Sequence, residues 1–119
     1  MISTKKKTYK ISANLSTYEI DNIKSYIKGA VNTYCTNFPE NSFSVQCLFG
    51  GDNRDWNDTP LQKVYDYYIS IGKSHDEASK AAAQDVGRLL RETLSEDNRY
   101  EYYDLNENQT ERTNKYKRI

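Results

Sequence analysis

The chain has 119 residues, 36% of them hydrophobic, and its formal net charge at pH 7 is zero. This length allows one domain with a modest core, to which eleven tyrosines contribute apolar area. No apolar run reaches the roughly 18 residues of a membrane span, and the lysine-rich start lacks the apolar stretch of a signal peptide. We therefore expect a cytoplasmic protein that does not contact a membrane.

The first half of the chain predicts a strand, a long helix and a second strand. Residues 8–15 alternate between apolar and polar, which is typical of a half-buried strand. Ser16 and Glu19 have capping-box spacing and predict a helix that continues to about Thr36. Gly29 lies inside this helix at a cost of roughly 1 kcal/mol relative to alanine, which favours close approach of a neighbouring element. Residues 43–49 alternate again and predict a strand with Cys47 facing the core.

The second half predicts two helices and a third strand. Thr59 and Pro60 are typical of a helix start, and that helix ends at about Ile71. A second capping box, Ser74 with Glu77, predicts a long helix to about residue 94. Residues 99–105 are rich in β-formers and predict the last strand.

These elements predict an α+β fold in the order β-α-β-α-α-β, with a three-stranded sheet covered on one face by three helices. We expect residues 8–105 to form a single domain. Residues 1–7 are predicted to be a flexible basic arm. Residues 106–119 are predicted to be a flexible charged tail with almost nothing to bury.

The stretch "LFGGDNRDWNDTPLQ" is a candidate site because it combines two glycines, three aspartates and the one tryptophan. A calcium loop that opens at Asp52 would need an acid at its twelfth position, where Lys63 stands. A phosphate cradle is excluded because three carboxylates would repel the ligand. Two interpretations stay open: turn hydrogen bonds with Trp56 packed at the core edge, or a partner-binding loop anchored by Arg54 and Trp56. No metal or cofactor is predicted.

Catalysis has little support in the sequence. The single histidine, His75, stands at a helix start where side chains point to solvent, and the chain has no strained nucleophile turn of the GxSxG kind. We therefore expect a protein that is not an enzyme.

Charge is divided along the chain. Between Glu40 and Glu111 there are fifteen acidic residues and seven basic ones, whereas both ends are basic. Residues 96–104 interleave acids with tyrosines, a mixture that suits docking on a basic protein surface, although a solvated edge strand has the same pattern. The helix after "GKS" exposes acids and has the wrong charge for a DNA groove.

The stretch "WNDTPLQKVYDYYISIGKSHDEASKAAAQDVGRLLRETLSEDNRYEYYD" and the Asn-, Lys-, Tyr- and Ile-rich composition resemble the small accessory proteins of phages and conjugative elements of low-GC Gram-positive bacteria. Some of these proteins are anti-CRISPR inhibitors, which occupy the nucleic-acid channels of RNA-guided nucleases. The resemblance covers about residues 43–104. It implies a protein that binds and inhibits a host nucleoprotein enzyme with a basic groove, such as a CRISPR nuclease.

Two sets of contact residues follow from these patterns. On the inhibitor hypothesis an acidic, tyrosine-rich surface contacts the partner through Asp52, Asp55, Trp56, Asp58, Glu96, Asp97, Glu101, Tyr103 and Asp104. The alternative is a DNA-binding accessory or regulatory protein of a mobile element. Its basic ends would contact phosphates through Lys5, Lys6, Lys7, Lys10, Arg112, Lys115, Lys117 and Arg118.

Overall fold

Two capping boxes begin the two long helices of the computed structural model, which describes residues 1–3, 9–51 and 54–119. Helix α1 spans Thr17–Asn37, and the Oγ of Ser16 accepts a hydrogen bond from the backbone N–H of Glu19. Helix α4 spans His75–Glu96, and the Oγ of Ser74 accepts a hydrogen bond from the backbone N–H of Glu77. In both boxes the glutamate accepts in return from the serine N–H, and these hydrogen bonds lower the pKa of the glutamate. The sequence prediction of both helix starts is confirmed.

The other elements are short. Helix α2 spans Val45–Phe49 and helix α3 spans Gln62–Ser70. The strands are β1 at Ile2–Ser3, β2 at Tyr102–Asp104 and β3 at Tyr116–Arg118. The fold therefore belongs to the α+β class. No helix in the described ranges is both long and apolar enough to cross a membrane.

Helix α4 is the central element of the fold. It packs against α1, α2, α3 and the sheet. Its core-facing side includes Ala78, Ala82, Val86, Leu89, Leu90 and Leu94, all of which are buried. The small residues come first along the helix, which lets α3 approach the start of α4 closely.

Strand β2 lies in the middle of the sheet. It pairs in parallel with β1 and antiparallel with β3. Tyr102 and Tyr116 face the helices and are buried, whereas Tyr103 and its partner Lys117 face outward. An isolated bridge between Phe43 and Tyr116 extends the far edge of β3.

The predicted order β-α-β-α-α-β with three helices is wrong, because two of its strands are absent from the described residues and a fourth helix, α2, is present among them. Residues 9–15 run without a ladder partner, since side chains of α4 hold this segment instead. Residues 45–49 form α2 because the Ser44 Oγ accepts from the Cys47 N–H and caps a helical turn. Cys47 is consequently exposed and not in the core, and both cysteines are free thiols. Strand β2 lies within the predicted range 99–105, as expected.

The predicted tail takes part in the fold. Within residues 106–119, Tyr116 is buried in β3, and the buried Asn106 side chain hydrogen bonds to Glu111 and Asn114. The expectation of almost nothing to bury there is therefore wrong. In the predicted N-terminal arm, Ile2 is buried in β1.

The expectation for Gly29 is also wrong. A Cβ placed on Gly29 would meet no atom of the described residues within 4 Å outside its own helix, so no described element approaches it closely.

Candidate functional site

A buried carboxylate in the middle of α4 fixes the segment that precedes α1. The Asp85 side chain is 1% exposed, and its two oxygens accept from the N–H groups of Ser12 at 3.0 Å and Ala13 at 3.1 Å. The Tyr68 hydroxyl of α3 donates to the same carboxylate at 2.5 Å. Burial, together with this hydrogen bond, raises the pKa of Tyr68 well above its usual range. Asp85 therefore joins three parts of the chain.

Arg88 stands one turn further along α4 and extends this attachment. Its Nη1 donates to the Lys10 carbonyl at 3.3 Å and to the Ser12 hydroxyl at 3.4 Å. Its guanidinium carbon lies 5.9 Å from the centre of the Tyr9 ring, and its Nη1 lies 3.7 Å from Asp85 Oδ1. Tyr9 remains 62% exposed and Lys10 is also exposed. Residues 9–13 are thus held beside α4.

An ion pair attaches the other end of the chain to the same helix. The Nη1 of Arg91 lies 2.9 Å from Asp104 Oδ2, with side chains only 7% and 0% exposed, and also donates to the Tyr116 hydroxyl at 3.3 Å. Burial alone would lower the pKa of Arg91, but the interactions with Asp104 and Tyr116 raise it above its usual range. This pair positions β2, β3 and the loop of residues 105–115 that joins them.

Between these two attachments lies a polar cleft of about 580 Å³, which we call the α4 cleft. Its lining includes the small residues Ala83 and Gly87 of α4, residues 45–46 of α2, and Gln109 with residues 111–114 of the last loop. Hydrogen-bonding and cationic side chains line it: Tyr9, Gln46, Gln84, Arg88, Gln109 and Arg112. Glu111 also lines it, but its carboxylate lies 3.6 Å from the Lys115 ammonium.

A second cavity of about 400 Å³ continues the α4 cleft toward the start of α4. The two share Val45, Gln46 and Ala83, and the second is also lined by Arg54, Lys80 and Asp76. The second cavity therefore carries charges of both signs.

The turn interpretation of the 48–62 loop agrees with its contacts. Trp56 is buried, its Nε1 donates to the Phe49 carbonyl at 3.0 Å, and the Arg54 guanidinium lies 4.9 Å from the Trp56 ring centre. The Asp55 carboxylate accepts from the Asn57 N–H at 2.9 Å, as in an Asx turn. Trp56 is therefore placed to hold the loop and not to contact a partner.

Two of the predicted acidic contact residues are buried in the fold. The Asp97 carboxylate accepts from the N–H groups of Arg99 and Tyr100 and from the Tyr102 hydroxyl. Burial alone would raise the pKa of Asp97, but these hydrogen bonds hold it below its usual range. Asp104 is engaged by Arg91, so neither carboxylate is available to a partner.

The exposed acidic residues do not form one surface. Asp55, Asp58, Glu96, Glu101 and Tyr103 are exposed. Glu96 lies 2.7 Å from the Lys24 ammonium. The loop that carries Asp55 reaches α4 at Ser79, through a hydrogen bond from Arg54, whereas Glu96 ends the helix. At a helical rise of ~1.5 Å per residue these points are about 25 Å apart. Asp52 lies outside the described residues.

The basic candidates divide in the same way. Arg112 lines the α4 cleft, and Lys10 follows Tyr9, which also lines it, with its carbonyl bonded to Arg88. Lys117 lies 3.9 Å from the Glu40 carboxylate. Arg118 faces inward, where it donates to Asn32 and Tyr102 and lies over the Tyr100 ring. Lys5, Lys6 and Lys7 lie outside the described residues.

The residues of α4 that build the cleft were not predicted from the sequence. One signal was present, because Ala78, Ala82, Asp85 and Leu89 recur at helical spacing and place a carboxylate on the buried stripe.

Known proteins do not assign this chain to a family. No family model matches it, and searches of curated proteins and of solved structures gave no significant match. Within the part of the chain that the structure describes, no three His, Cys, Asp or Glu side chains are grouped so that they could hold a metal ion.

Proposed function

We propose that this protein is a non-enzymatic nucleic-acid-binding accessory protein of a mobile element and that it binds its ligand in the α4 cleft. One observation carries the proposal. Tyr9 from the first residues, Arg88 from α4 and Arg112 from the last loop line a single polar cleft, and Lys10 stands next to Tyr9 with its carbonyl bonded to Arg88. Residues far apart in the sequence thus form one surface for a polyanion.

The charge of the cleft favours a phosphate ligand. Arg112 presents an exposed guanidinium group, which matches phosphate oxygens in pairs, and the neighbouring Lys10 adds an exposed ammonium. Arg88 adds positive charge, although its Nη1 already bonds to Lys10 and Ser12 and lies near Asp85. The nearby carboxylates are engaged, since Asp104 pairs with Arg91 and Glu111 lies near Lys115. The acidic excess of the sequence therefore does not extend to this cleft.

The remaining lining favours nucleic acid over inorganic phosphate. Gln46, Gln84 and Gln109 carry amides, which donate and accept hydrogen bonds at base edges. Tyr9 supplies an exposed aromatic ring of the type on which bases stack.

Binding of short labelled oligonucleotides, single-stranded and duplex, tests the proposal by fluorescence anisotropy at two salt concentrations. The double variant Lys10→Ala/Arg112→Ala is expected to lose about tenfold in affinity, or about 1.4 kcal/mol, and to show a weaker salt dependence because it releases fewer counterions. Both side chains are exposed, so the free energy of unfolding should change little.

Lys28→Ala/Lys73→Ala is the matched control, because these exposed lysines neither line the α4 cleft nor stand next to a residue that lines it, whereas Arg112 lines it and Lys10 follows Tyr9. It should bind like the unaltered chain. Equal loss of affinity in the two double variants, or no binding of any oligonucleotide at low salt, would show that the cleft is not a nucleic-acid site.

Inhibition of a host nucleoprotein enzyme, such as an RNA-guided nuclease, is the second candidate function. Glu101 and Tyr103 favour it, because both are exposed and alternate residues of a strand share one face. The test is a nuclease cleavage assay with the chain and with Glu101→Lys/Tyr103→Ala. Loss of inhibition in this variant, but not in the exposed control Asp21→Lys, would support an acidic contact surface. A chain that does not slow cleavage contradicts it.

A further inference from the structure

We infer that the α4 cleft selects single-stranded over duplex nucleic acid and that Tyr9 stacks on an unpaired base. This inference deepens the proposed function and rests on it. It starts from the shape of the cleft.

The shape of the cleft excludes the usual way of reading a duplex. A recognition helix must protrude so that it can enter the major groove, which is about 12 Å wide. Here α4 does not protrude at Ala83 and Gly87, because these partly exposed residues line a cleft together with residues of α2 and of the 105–115 loop. A concave site of about 580 Å³ has the size of a small-molecule pocket and can admit individual nucleotides but not a double helix.

Tyr9 is placed to stack on a base. Its ring is 62% exposed, yet Arg88 holds its segment through hydrogen bonds to the Lys10 carbonyl and the Ser12 hydroxyl. Asp85 fixes the following backbone. An exposed ring on a fixed segment offers stacking without the entropy loss of ordering a flexible chain. In a duplex, neighbouring bases cover both faces of an internal base. A free face on which Tyr9 could stack is therefore available only in a single strand.

The lining matches the other parts of an unpaired nucleotide. The amides of Gln84 and Gln109 suit base edges, which a single strand leaves open and a duplex occupies by pairing. Arg88 and Arg112 would bind the phosphates on either side of the stacked base. An acidic protein segment would use the same two arginines but would have no base to stack on Tyr9.

The test measures anisotropy with three labelled probes: a deoxythymidine oligonucleotide, a duplex of the same length, and a polyglutamate peptide of similar charge. The single strand should bind at least about tenfold more tightly than either other probe. Tyr9→Ala should weaken single-strand binding about tenfold, whereas Tyr9→Phe keeps the ring and should bind nearly as well as the unaltered chain.

Tyr18→Ala is the matched control, because Tyr18 is 75% exposed on α1 and does not line the cleft. The inference is overturned if the duplex binds as tightly as the single strand, or if Tyr9→Ala behaves like Tyr18→Ala. In either case the proposed function survives as long as Lys10→Ala/Arg112→Ala loses binding. Tighter binding of polyglutamate makes an acidic protein the occupant and overturns both, as does failure of both nucleic acids to bind.

Discussion

Replacement of Asp85 by alanine is expected to lower the free energy of unfolding by about 4 kcal/mol. The carboxylate accepts from the Ser12 and Ala13 N–H groups and from the Tyr68 hydroxyl in a buried environment. Alanine would leave the buried Ala13 N–H without its acceptor, and a buried unpaired donor costs more than the hydrogen bond itself contributes. The segment that carries Tyr9 and Lys10 would also lose its attachment to α4.

Denaturant unfolding measures this effect, and two variants calibrate it. Tyr68→Phe removes only one donor to Asp85 and should cost about 1 kcal/mol. Asp66→Ala changes an exposed carboxylate of α3 and should stay within about 0.5 kcal/mol of the unaltered chain. If Asp85→Ala unfolds at the same denaturant concentration as Asp66→Ala, Asp85 does not have the structural role described above.

Replacement of Asp104 by asparagine should have the next largest effect, a loss of about 3 kcal/mol of stability. Asparagine nearly preserves the shape of the side chain but removes the charge opposite Arg91, whose side chain is only 7% exposed. A buried guanidinium without its counter-charge is strongly destabilising. Thermal or denaturant unfolding would detect the change.

Glu101→Gln is the control for Asp104→Asn, since it neutralises an exposed carboxylate one residue before β2 and should be nearly neutral. Comparable stability of the two variants would contradict the structural role of the ion pair.

The comparison of the Asp104 and Glu101 variants also bears on the inhibitor hypothesis. Any loss of partner binding in an Asp104 variant would follow from damage to the fold, whereas the same loss in a Glu101 variant would locate a contact.

The long helices could be predicted because their signals are local. The pairs Ser16–Glu19 and Ser74–Glu77 are three residues apart, and both form the expected reciprocal hydrogen bonds. Strands are different, because alternation specifies which side chains face inward but not whether a neighbouring strand exists. Residues 9–15 place Ala13 in the core without a ladder, and the hydroxyl of Ser44 starts a helix in the second predicted strand.

The candidate site was harder to predict than the fold because its contacts are distant in sequence. The hydrogen bond from Ser12 to Asp85 joins residues 73 positions apart, and the one from Arg88 to Lys10 joins residues 78 apart. The basic character of both ends was visible in the sequence, and Lys10 and Arg112 were named from it. Their convergence on one side of α4 was not visible, because it depends on how Asp85 and Arg91 attach the two ends.

Contacts between distant parts of the chain bear on how the molecule assembles. The hydrogen bond from Arg118 of β3 to Asn32 of α1 spans 86 positions, and the pairing of β1 with β2 joins residues at a similar separation. Such contacts form only after the entropy of closing a long loop has been overcome, whereas helices form from local contacts. Species with nearly native helical content can therefore precede the finished cleft during refolding. Far-ultraviolet circular dichroism would then overestimate the fraction of molecules able to bind, and titration with ligand is the better measure of that fraction.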